Sequence, residues 1–154
     1  MTILFFDSSA LVKRYLNEQG SVWVRSLTDV AANNTVFVAE ITRVETAAAF
    51  AARQRAPNGI SQQERDRLFA LLVMHEVHEY ARIPMLATLI DRAMLLTQQY
   101  RLRGYDAVQL AAALATVEAV RLNGLADPIF VSADTDLLAA AHAEGLSVDN
   151  PNHH

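Results

Sequence analysis

Four acidic residues stand where predicted helices begin, and they are Asp7, Glu45, Asp106 and Asp134. Three of them come just after predicted strands, at residues 2–6, 35–39 and 128–133. In open α/β sheets, ligands bind outside the carboxyl ends of the strands, where the following helices begin. If these three strands are neighbours, we expect the four carboxylates to converge on one crevice.

A cluster of carboxylates needs compensation. Two carboxylates about 4 Å apart repel by about 4 kcal/mol at an effective dielectric constant of 20. Either some stay protonated or a cation is bound. The segments that carry the acids offer only oxygen ligands, which suit Mg²⁺ or Mn²⁺. Mg²⁺ keeps several waters and takes substrate phosphates as further ligands. The pattern therefore indicates metal-assisted phosphodiester hydrolysis, in which no side-chain nucleophile is required.

Helix capping is the alternative explanation for most of these acids. Aspartate is a favoured N-cap, and acids suit the positive end of a helix dipole. Thr42 and Glu45 have the spacing of a capping box, and Asp106 with Gln109 is a near-match. Asp134 could cap the helix that follows it.

Asp7 differs from the other three. Ser8 or Ser9 could cap the first helix unaided, so we expect the Asp7 carboxylate not to be needed as a cap. A charge at the end of a buried strand also costs desolvation free energy unless it is paired. A functional role is therefore the stronger reading for Asp7.

Strands and helices alternate along the whole chain. Hydrophobic periodicity and turn residues predict strands at 2–6, 35–39, 79–83, 128–133 and 146–148. Helices are predicted at 8–17, 21–30, 42–55, 61–74, 86–100, 107–121 and 135–144. This alternation indicates a layered α/β domain with a mostly parallel sheet.

Composition indicates one ordinary globular domain. The chain has 154 residues, 52% hydrophobic residues and no cysteine, which leaves no disulfide framework or thiolate chemistry. The net charge of −4 disfavours a protein that coats nucleic acid by charge alone. We expect a single domain over residues 1–150, a disordered tail at 151–154, no membrane span and a cytoplasmic location.

Four segments together give the sequence a family resemblance: FFDSSALVKRY at 5–15, ITRVETAAAF at 41–50, LRGYDAVQLAAAL at 102–114 and FVSADTDLLAAAHAEGLSV at 130–148. In order and spacing they resemble PIN-domain ribonucleases, and specifically the VapC-like toxins of toxin–antitoxin pairs. The resemblance covers nearly the full length. It implies a three-layer α/β/α sandwich with a central parallel sheet of about five strands in the order 3-2-1-4-5.

The resemblance also implies the activity and its residues. It implies Mg²⁺- or Mn²⁺-dependent cleavage of RNA that leaves 5′-phosphate and 3′-hydroxyl ends. The acidic positions of the family fall on Asp7, Glu45, Asp106 and Asp134, with Asp136 as a further candidate metal ligand. Ser9 and Ser132 match small hydroxyl positions that support the acids or a metal-bound water.

Partners follow from the same resemblance, which implies a homodimer and a cognate antitoxin that folds over the groove. Basic residues close in sequence to the acidic segments could bind RNA phosphates: Lys13, Arg14, Arg43 and Arg103. One departure from the family pattern is the connection at 116–128, which is longer than usual and could alter an edge of the substrate groove.

Several other functions compete with this reading. A phosphorelay receiver needs a lysine after the fifth strand, whereas the only lysine here is Lys13, and the third strand ends in Ile83 and Pro84 rather than an aspartate. A haloacid-dehalogenase-type phosphatase would carry an acid where Ser9 stands. A PIN-like module that only binds RNA or protein should lack one or more of the four acids. A housekeeping PIN nuclease outside any toxin–antitoxin pair remains open.

Overall fold

A computed structural model describes all residues, 1–154, and contains one five-stranded sheet. The strands are β1 (Ile3–Phe6), β2 (Thr35–Ala39), β3 (Tyr80–Ile83), β4 (Ile129–Val131) and β5 (Ser147–Asp149). Their order is β3-β2-β1-β4-β5, and every pair is parallel. The predicted strand order 3-2-1-4-5 is therefore confirmed. It differs from the order 2-1-3-4-5 of receiver domains, so the receiver alternative fails on topology.

Seven α-helices connect the strands: α1 (Ser8–Tyr15), α2 (Ser21–Leu27), α3 (Thr42–Arg55), α4 (Gln62–His78), α5 (Ala87–Gln99), α6 (Gly104–Leu122) and α7 (Thr135–Ala143). Two short 3-10 helices occur at Val30–Ala32 and Pro151–His153. None of the helices is long and apolar enough to cross a membrane.

The sheet separates two hydrophobic cores, which makes the domain a three-layer sandwich. Alternate residues of a strand point to opposite faces. Leu4 and Phe6 of β1 therefore pack with α1–α4, whereas Phe5 packs with α5, α6 and α7. Phe5 stacks on Phe130 of β4 with ring centroids 5.6 Å apart. All four residues of β1 are buried, as expected for a central strand covered on both faces.

The strand order reverses between β1 and β4. After β1 the chain builds β2 and β3 on one side, and it then crosses to β4 and β5 on the other. Phe6 pairs with both Val38 and Val131, so Asp7 and Ser132 leave the sheet at the same level. Ligand crevices of open α/β sheets form at such a reversal, which places the expected site beside Asp7.

Three helix ends differ from the predictions by three residues or more. Helix α2 ends at Leu27 instead of residue 30, where a 3-10 helix begins. Helix α4 continues to His78 instead of ending at residue 74, because Glu76 is buried there and lies within 3.5 Å of Arg43 and 3.8 Å of Arg82. Helix α6 begins at Gly104, which the sequence suggested as a break before residue 107.

The segment at 116–128 is mostly helix. Helix α6 runs to Leu122, and only residues 123–128 connect it to β4. This connection enters β4 at its amino end, opposite the edge where Asp7 lies. The predicted effect on the substrate groove is therefore not supported by the fold.

The last residues pack against the domain, in contrast to the expected disordered tail at 151–154. Pro151 is buried in the second 3-10 helix, and the Asn152 carbonyl accepts a hydrogen bond from Gln19 Nε2 at 2.7 Å. The rings of Trp23 and His154 stack at 4.0 Å. The segment thus covers the loop that joins α1 to α2.

Candidate active site

Asp7 is the N-cap of α1. One carboxylate oxygen accepts a hydrogen bond from the Ala10 backbone N–H at 2.9 Å. The expectation that Ser8 or Ser9 would cap this helix is therefore wrong. The side chain is nearly buried, with 3% of the residue exposed. Capping alone accounts for one hydrogen bond to this carboxylate and leaves its remaining contacts to be explained.

Two serine hydroxyls supply those contacts. Ser9 Oγ lies 2.8 and 2.9 Å from the two Asp7 oxygens, and Ser132 Oγ donates to Oδ2 at 2.7 Å. Each serine also accepts from a backbone N–H after β4, Ser9 from Ala133 at 2.8 Å and Ser132 from Asp134 at 3.0 Å. Because an ionised carboxylate can only accept hydrogen bonds, both hydroxyls donate to Asp7 when it is ionised.

Burial dominates the ionisation of Asp7. Desolvation raises the pKa of its carboxyl to about 6, although the hydrogen bonds from Ser132, Ala10 and Ser9 each lower it. The charge of Glu45 is a smaller cause of the same rise. An ionised Asp7 is therefore a carboxylate without a nearby compensating cation.

Glu45 is held by Gln109 rather than by a capping box. Its Oε2 accepts from Gln109 Nε2 at 2.7 Å, and the same Nε2 donates to Thr42 Oγ1 at 3.0 Å. Helix α3 begins after Ile41 with no side-chain cap, so the Thr42–Glu45 capping box is wrong. Glu45 is half-buried in the first turn of α3.

Gln109 is the site residue that sequence reasoning missed. It is 1% exposed and joins α6 to the start of α3. The sequence places it only in a capping pattern with Asp106. The usable signal was a glutamine inside an alanine-rich apolar helix, because a fully buried polar side chain must find hydrogen-bond partners.

Asp106 and Asp134 complete the acidic group. Burial raises the pKa of Asp106, and the charges of Asp134 and Glu45 raise it further. Asp106 does not cap α6, whose N-cap is Arg103 with no side-chain hydrogen bond. Asp134 does cap α7, because its Oδ1 accepts from the N–H groups of Asp136 and Leu137 at 2.9 and 3.0 Å.

Charge interactions connect the four acids in pairs. The Glu45 charge raises the pKa of both Asp7 and Asp106, and the Asp134 charge raises that of Asp106. Asp136 is exposed and is not among the charges that act on either carboxyl. The four predicted acids are thus linked pairwise through their charges, in the series Asp7, Glu45, Asp106 and Asp134, while Asp136 stays a candidate ligand on sequence grounds only.

The donor set fits a hard divalent cation in its chemistry. All four side chains offer carboxylate oxygens, and their mutual repulsion favours positive charge. No three acidic or histidine side chains form a ready ligand group in the structure. Mg²⁺ is commonly bound through one or two carboxylates with waters completing its shell, so a preformed group of three is not required.

Lys13 lines a cavity together with residues of the acidic site. A cavity of about 340 Å³ between α1 and α3 is lined by Ser9, Lys13, Glu18 and Glu45, and we call it the α1–α3 cavity. Lys13 is 5% exposed. Its Nζ lies 3.3 Å from Glu18 Oε2.

The three arginines are placed differently. Arg14 contacts Tyr80 and lies 2.6 Å from Glu79, near the amino end of β3 and away from the acids. Arg43 lies within 3.5–3.6 Å of Glu76 and Glu40. Arg103 is exposed at the start of α6, where its charge lowers the pKa of Asp106. Their RNA-binding roles stay predictions, and the position of Arg103 suits that role best.

The fold and the edge where the acids meet define a PIN-like α/β domain. No protein-family model and no curated sequence matches the chain. Solved structures do match over nearly all of it. The chain is similar to FitAB bound to an IR36 DNA fragment, with a TM-score of 0.64, 17% identity, and coverage of 99% of this chain and 97% of that one.

Two further solved structures are similar. For a toxin–antitoxin complex from Klebsiella pneumoniae, the TM-score is 0.59 with 16% identity, over 96% of this chain and 97% of that one. For VapC20 of Mycobacterium tuberculosis, described as a sarcin–ricin loop cleaving toxin, the TM-score is 0.62 with 16% identity, and the match covers 90% of this chain and 95% of that one. At these identities the likeness shows the fold, which is that of the VapC-like PIN toxins the sequence resembles.

Proposed function

We propose that this protein is a Mg²⁺- or Mn²⁺-dependent endoribonuclease and the toxin of a toxin–antitoxin pair. The observation that carries the proposal is Asp7. It is buried at the point where the strand order reverses, and two serines orient it. It also lies close enough to Glu45 for the charge of Glu45 to raise its pKa. A carboxylate held in this way suits a cation site better than a structural role, since capping needs neither serine.

The chain supplies the ligands and their orientation. Asp7, Glu45, Asp106 and Asp134 would hold the cation through oxygen atoms, with Asp136 as a further candidate. When bound, Mg²⁺ or Mn²⁺ lowers the pKa of a water and neutralises charge that develops on the phosphoryl group. Ser9 and Ser132 fix the Asp7 carboxylate, and Gln109 fixes that of Glu45.

The proposed protein partner is a cognate antitoxin. Two of the similar structures are named as FitAB bound to DNA and as a toxin–antitoxin complex. An apolar groove beside the start of α6 is lined by Met85, Ile90, Met94 and Tyr105, and Tyr105 is 61% exposed. Exposed apolar surface of this kind suits an antitoxin segment that covers the acidic site. Such a pair would act in the cytoplasm.

The decisive experiment is RNA cleavage by antitoxin-free protein. End-labelled total RNA is incubated with the wild type and with Asp7→Asn, in Mn²⁺, Mg²⁺ or EDTA. We expect discrete cuts that need the metal and vanish in the variant. Circular dichroism establishes that both proteins are folded. Equal cleavage by Asp7→Asn would mean a contaminant or a wrong role for Asp7.

The alternative is a PIN-like module that binds RNA or protein without cleaving it. The observation in its favour is that no three acidic or histidine side chains form a ready ligand group. Folded wild-type protein that cleaves no RNA in either metal, yet binds it, would favour this alternative.

A further inference from the structure

Lys13 is a buried lysine with few partners. Its ammonium has three N–H donors, and the structure gives it one acceptor, Glu18 Oε2, at 3.3 Å. Charge-assisted N–H···O bonds are normally 2.7–2.9 Å long, so this contact is loose. Burying a cation is costly unless it is paired. A loosely paired lysine on the wall of a cavity therefore has donors available for a further anion.

Glu18 bridges two cations. Its Oε2 faces Lys13, whereas its Oε1 accepts from Arg53 at the shorter distance of 2.9 Å. One carboxylate thus stands against two positive charges. Arg53 lies near the end of α3 and does not line the α1–α3 cavity. If Glu18 leaves Lys13, Arg53 can still hold it.

The α1–α3 cavity has opposite charges on its walls. Ser9 and Glu45 belong to the acidic site, and Lys13 lies one helical turn beyond Ser9 on α1. Successive phosphates of an RNA strand could therefore lie at the acids and at Lys13. We propose that Lys13 binds a backbone phosphate of the RNA next to the cleaved one, and that Glu18 occupies this phosphate subsite until RNA displaces it towards Arg53.

This inference rests on the proposed RNA cleavage and adds a prediction that a purely structural ion pair does not make. Glu18→Gln removes the competing carboxylate and should lower KM for RNA about fivefold. Arg53→Gln removes the group that draws Glu18 away and should raise KM. Both variants break the Glu18–Arg53 ion pair, so a purely structural role would shift KM of both variants in the same direction.

Lys13 itself is tested by two variants. Lys13→Met keeps much of the apolar stem and should raise KM at least about tenfold, because a hydrogen bond between charged groups is lost. It should also reduce the slope of log K against log salt by about 0.7. Lys13→Arg should recover most of the binding. The matched control is Glu64→Gln, which breaks the exposed Glu64–Arg67 pair on α4.

A direct reading of Lys13 is available because it is the only lysine in the chain. Protein labelled with ¹³C-lysine gives one set of side-chain NMR signals, which is titrated with inorganic phosphate and with oligouridylate in EDTA. We expect saturable shifts at lower ligand concentration in Glu18→Gln than in the wild type. Unshifted Lys13 signals, or KM changes of the same sign in Glu18→Gln and Arg53→Gln, overturn the subsite.

The two proposals can fail separately. If the wild type cleaves RNA but Lys13 does not respond, the nuclease stands and the subsite is wrong. If no RNA is cleaved but the Lys13 signals shift with oligouridylate, the phosphate subsite stands and the enzymatic function is wrong.

Discussion

Asp7 combines a structural and a chemical task in one carboxyl group. It caps α1 through the Ala10 N–H, and it also accepts hydrogen bonds from the hydroxyls of Ser9 and Ser132. These donors do not offset the cost of burying its charge, since its pKa stays raised to about 6. The metal-free protein therefore carries an unfavourable charge at neutral pH, and removing that charge should stabilise the fold.

We expect Asp7→Asn to stabilise the metal-free protein at pH 8 but not at pH 4. The folded wild type keeps a proton on Asp7 up to about pH 6, whereas the unfolded chain releases it near the ordinary value of 3.8. The contribution of Asp7 to stability is thus lost as pH rises through this window. The gain at pH 8 is at most about 3 kcal/mol, because the pKa rises from 3.8 to about 6 on folding and each unit corresponds to about 1.4 kcal/mol. The cap itself is kept, since asparagine also caps helices. Denaturant unfolding in EDTA at both pH values measures it, and an equal gain at pH 4 would contradict this account.

Gln109 gives a second prediction at the residue scale. Gln109→Met fills a similar volume but leaves Glu45 Oε2 without its donor. Residues that orient metal ligands typically contribute 10–100-fold to activity or metal affinity, and we expect a loss of about that size in cleavage rate. Gln98→Met, an exposed change on α5, is the control and should leave cleavage unaltered. Wild-type activity in Gln109→Met would show that Glu45 needs no positioning.

At the scale of elements, Asp134 shows how capping and chemistry can be separated. It caps α7 through two N–H groups, and its charge also acts on Asp106. Either task alone could account for an aspartate at this position. A substitution that keeps the cap and removes the charge distinguishes them.

We expect Asp134→Asn to keep the stability of the wild type and to lose cleavage activity, since asparagine caps a helix about as well as aspartate. Asp134→Ala should lose activity and also about 1 kcal/mol of stability. Thermal unfolding and RNA cleavage are measured on both variants. If Asp134→Asn cleaves RNA as the wild type does, Asp134 is a cap and not a ligand.

Element prediction from the sequence succeeded where the signals were local. Strand β2 and helix α3 have their predicted bounds, because a β-branched run defines one and turn residues after Arg55 end the other. The predicted end of α4 was wrong because the burial of Glu76 depends on Arg43 and Arg82 from other elements. The prediction that Ser8 or Ser9 caps α1 was wrong because serine and aspartate are both good caps. What separates their roles is the contacts from the β4 side, where Ala133 donates to Ser9 and Ser132 donates to Asp7.

At the scale of the molecule, strand alternation predicted the layers, whereas the strand order came from the family resemblance. The meeting of the four acids follows from that order. The contacts that orient them could not be read from the sequence, because Ser9–Ala133 and Glu45–Gln109 join residues far apart in the chain. Hydrogen bonds between side chains far apart in the chain produce no periodic pattern in the sequence.

One surface feature bears on the homodimer that the family resemblance implies. Phe69, Val73 and Val77 are spaced by four residues on α4 and are 52%, 46% and 65% exposed. They form an apolar stripe that a second copy of the chain could cover.

We expect Val73→Glu to convert a dimer into monomers, because it places a charge in the middle of that stripe. Light scattering after size-exclusion chromatography measures the mass. Val22→Glu on α2, where the valine is 82% exposed, is the matched control. A wild type that is monomeric at high concentration would contradict the proposed dimer, and a dimer that survives Val73→Glu would place its interface elsewhere.

The packing of the C-terminal segment has a practical consequence for every assay described above. Gln19 binds Asn152, and a side chain at Gly20, where φ is +82°, would collide with the Pro151 carbonyl. Glu18 is the residue next to this contact. An affinity tag fused after His154 would therefore lie beside the loop that carries Glu18, the residue that occupies the proposed phosphate subsite. A tag fused before Met1 would extend from the amino end of β1, at the edge of the sheet opposite Asp7, and we expect it to leave the kinetics unchanged.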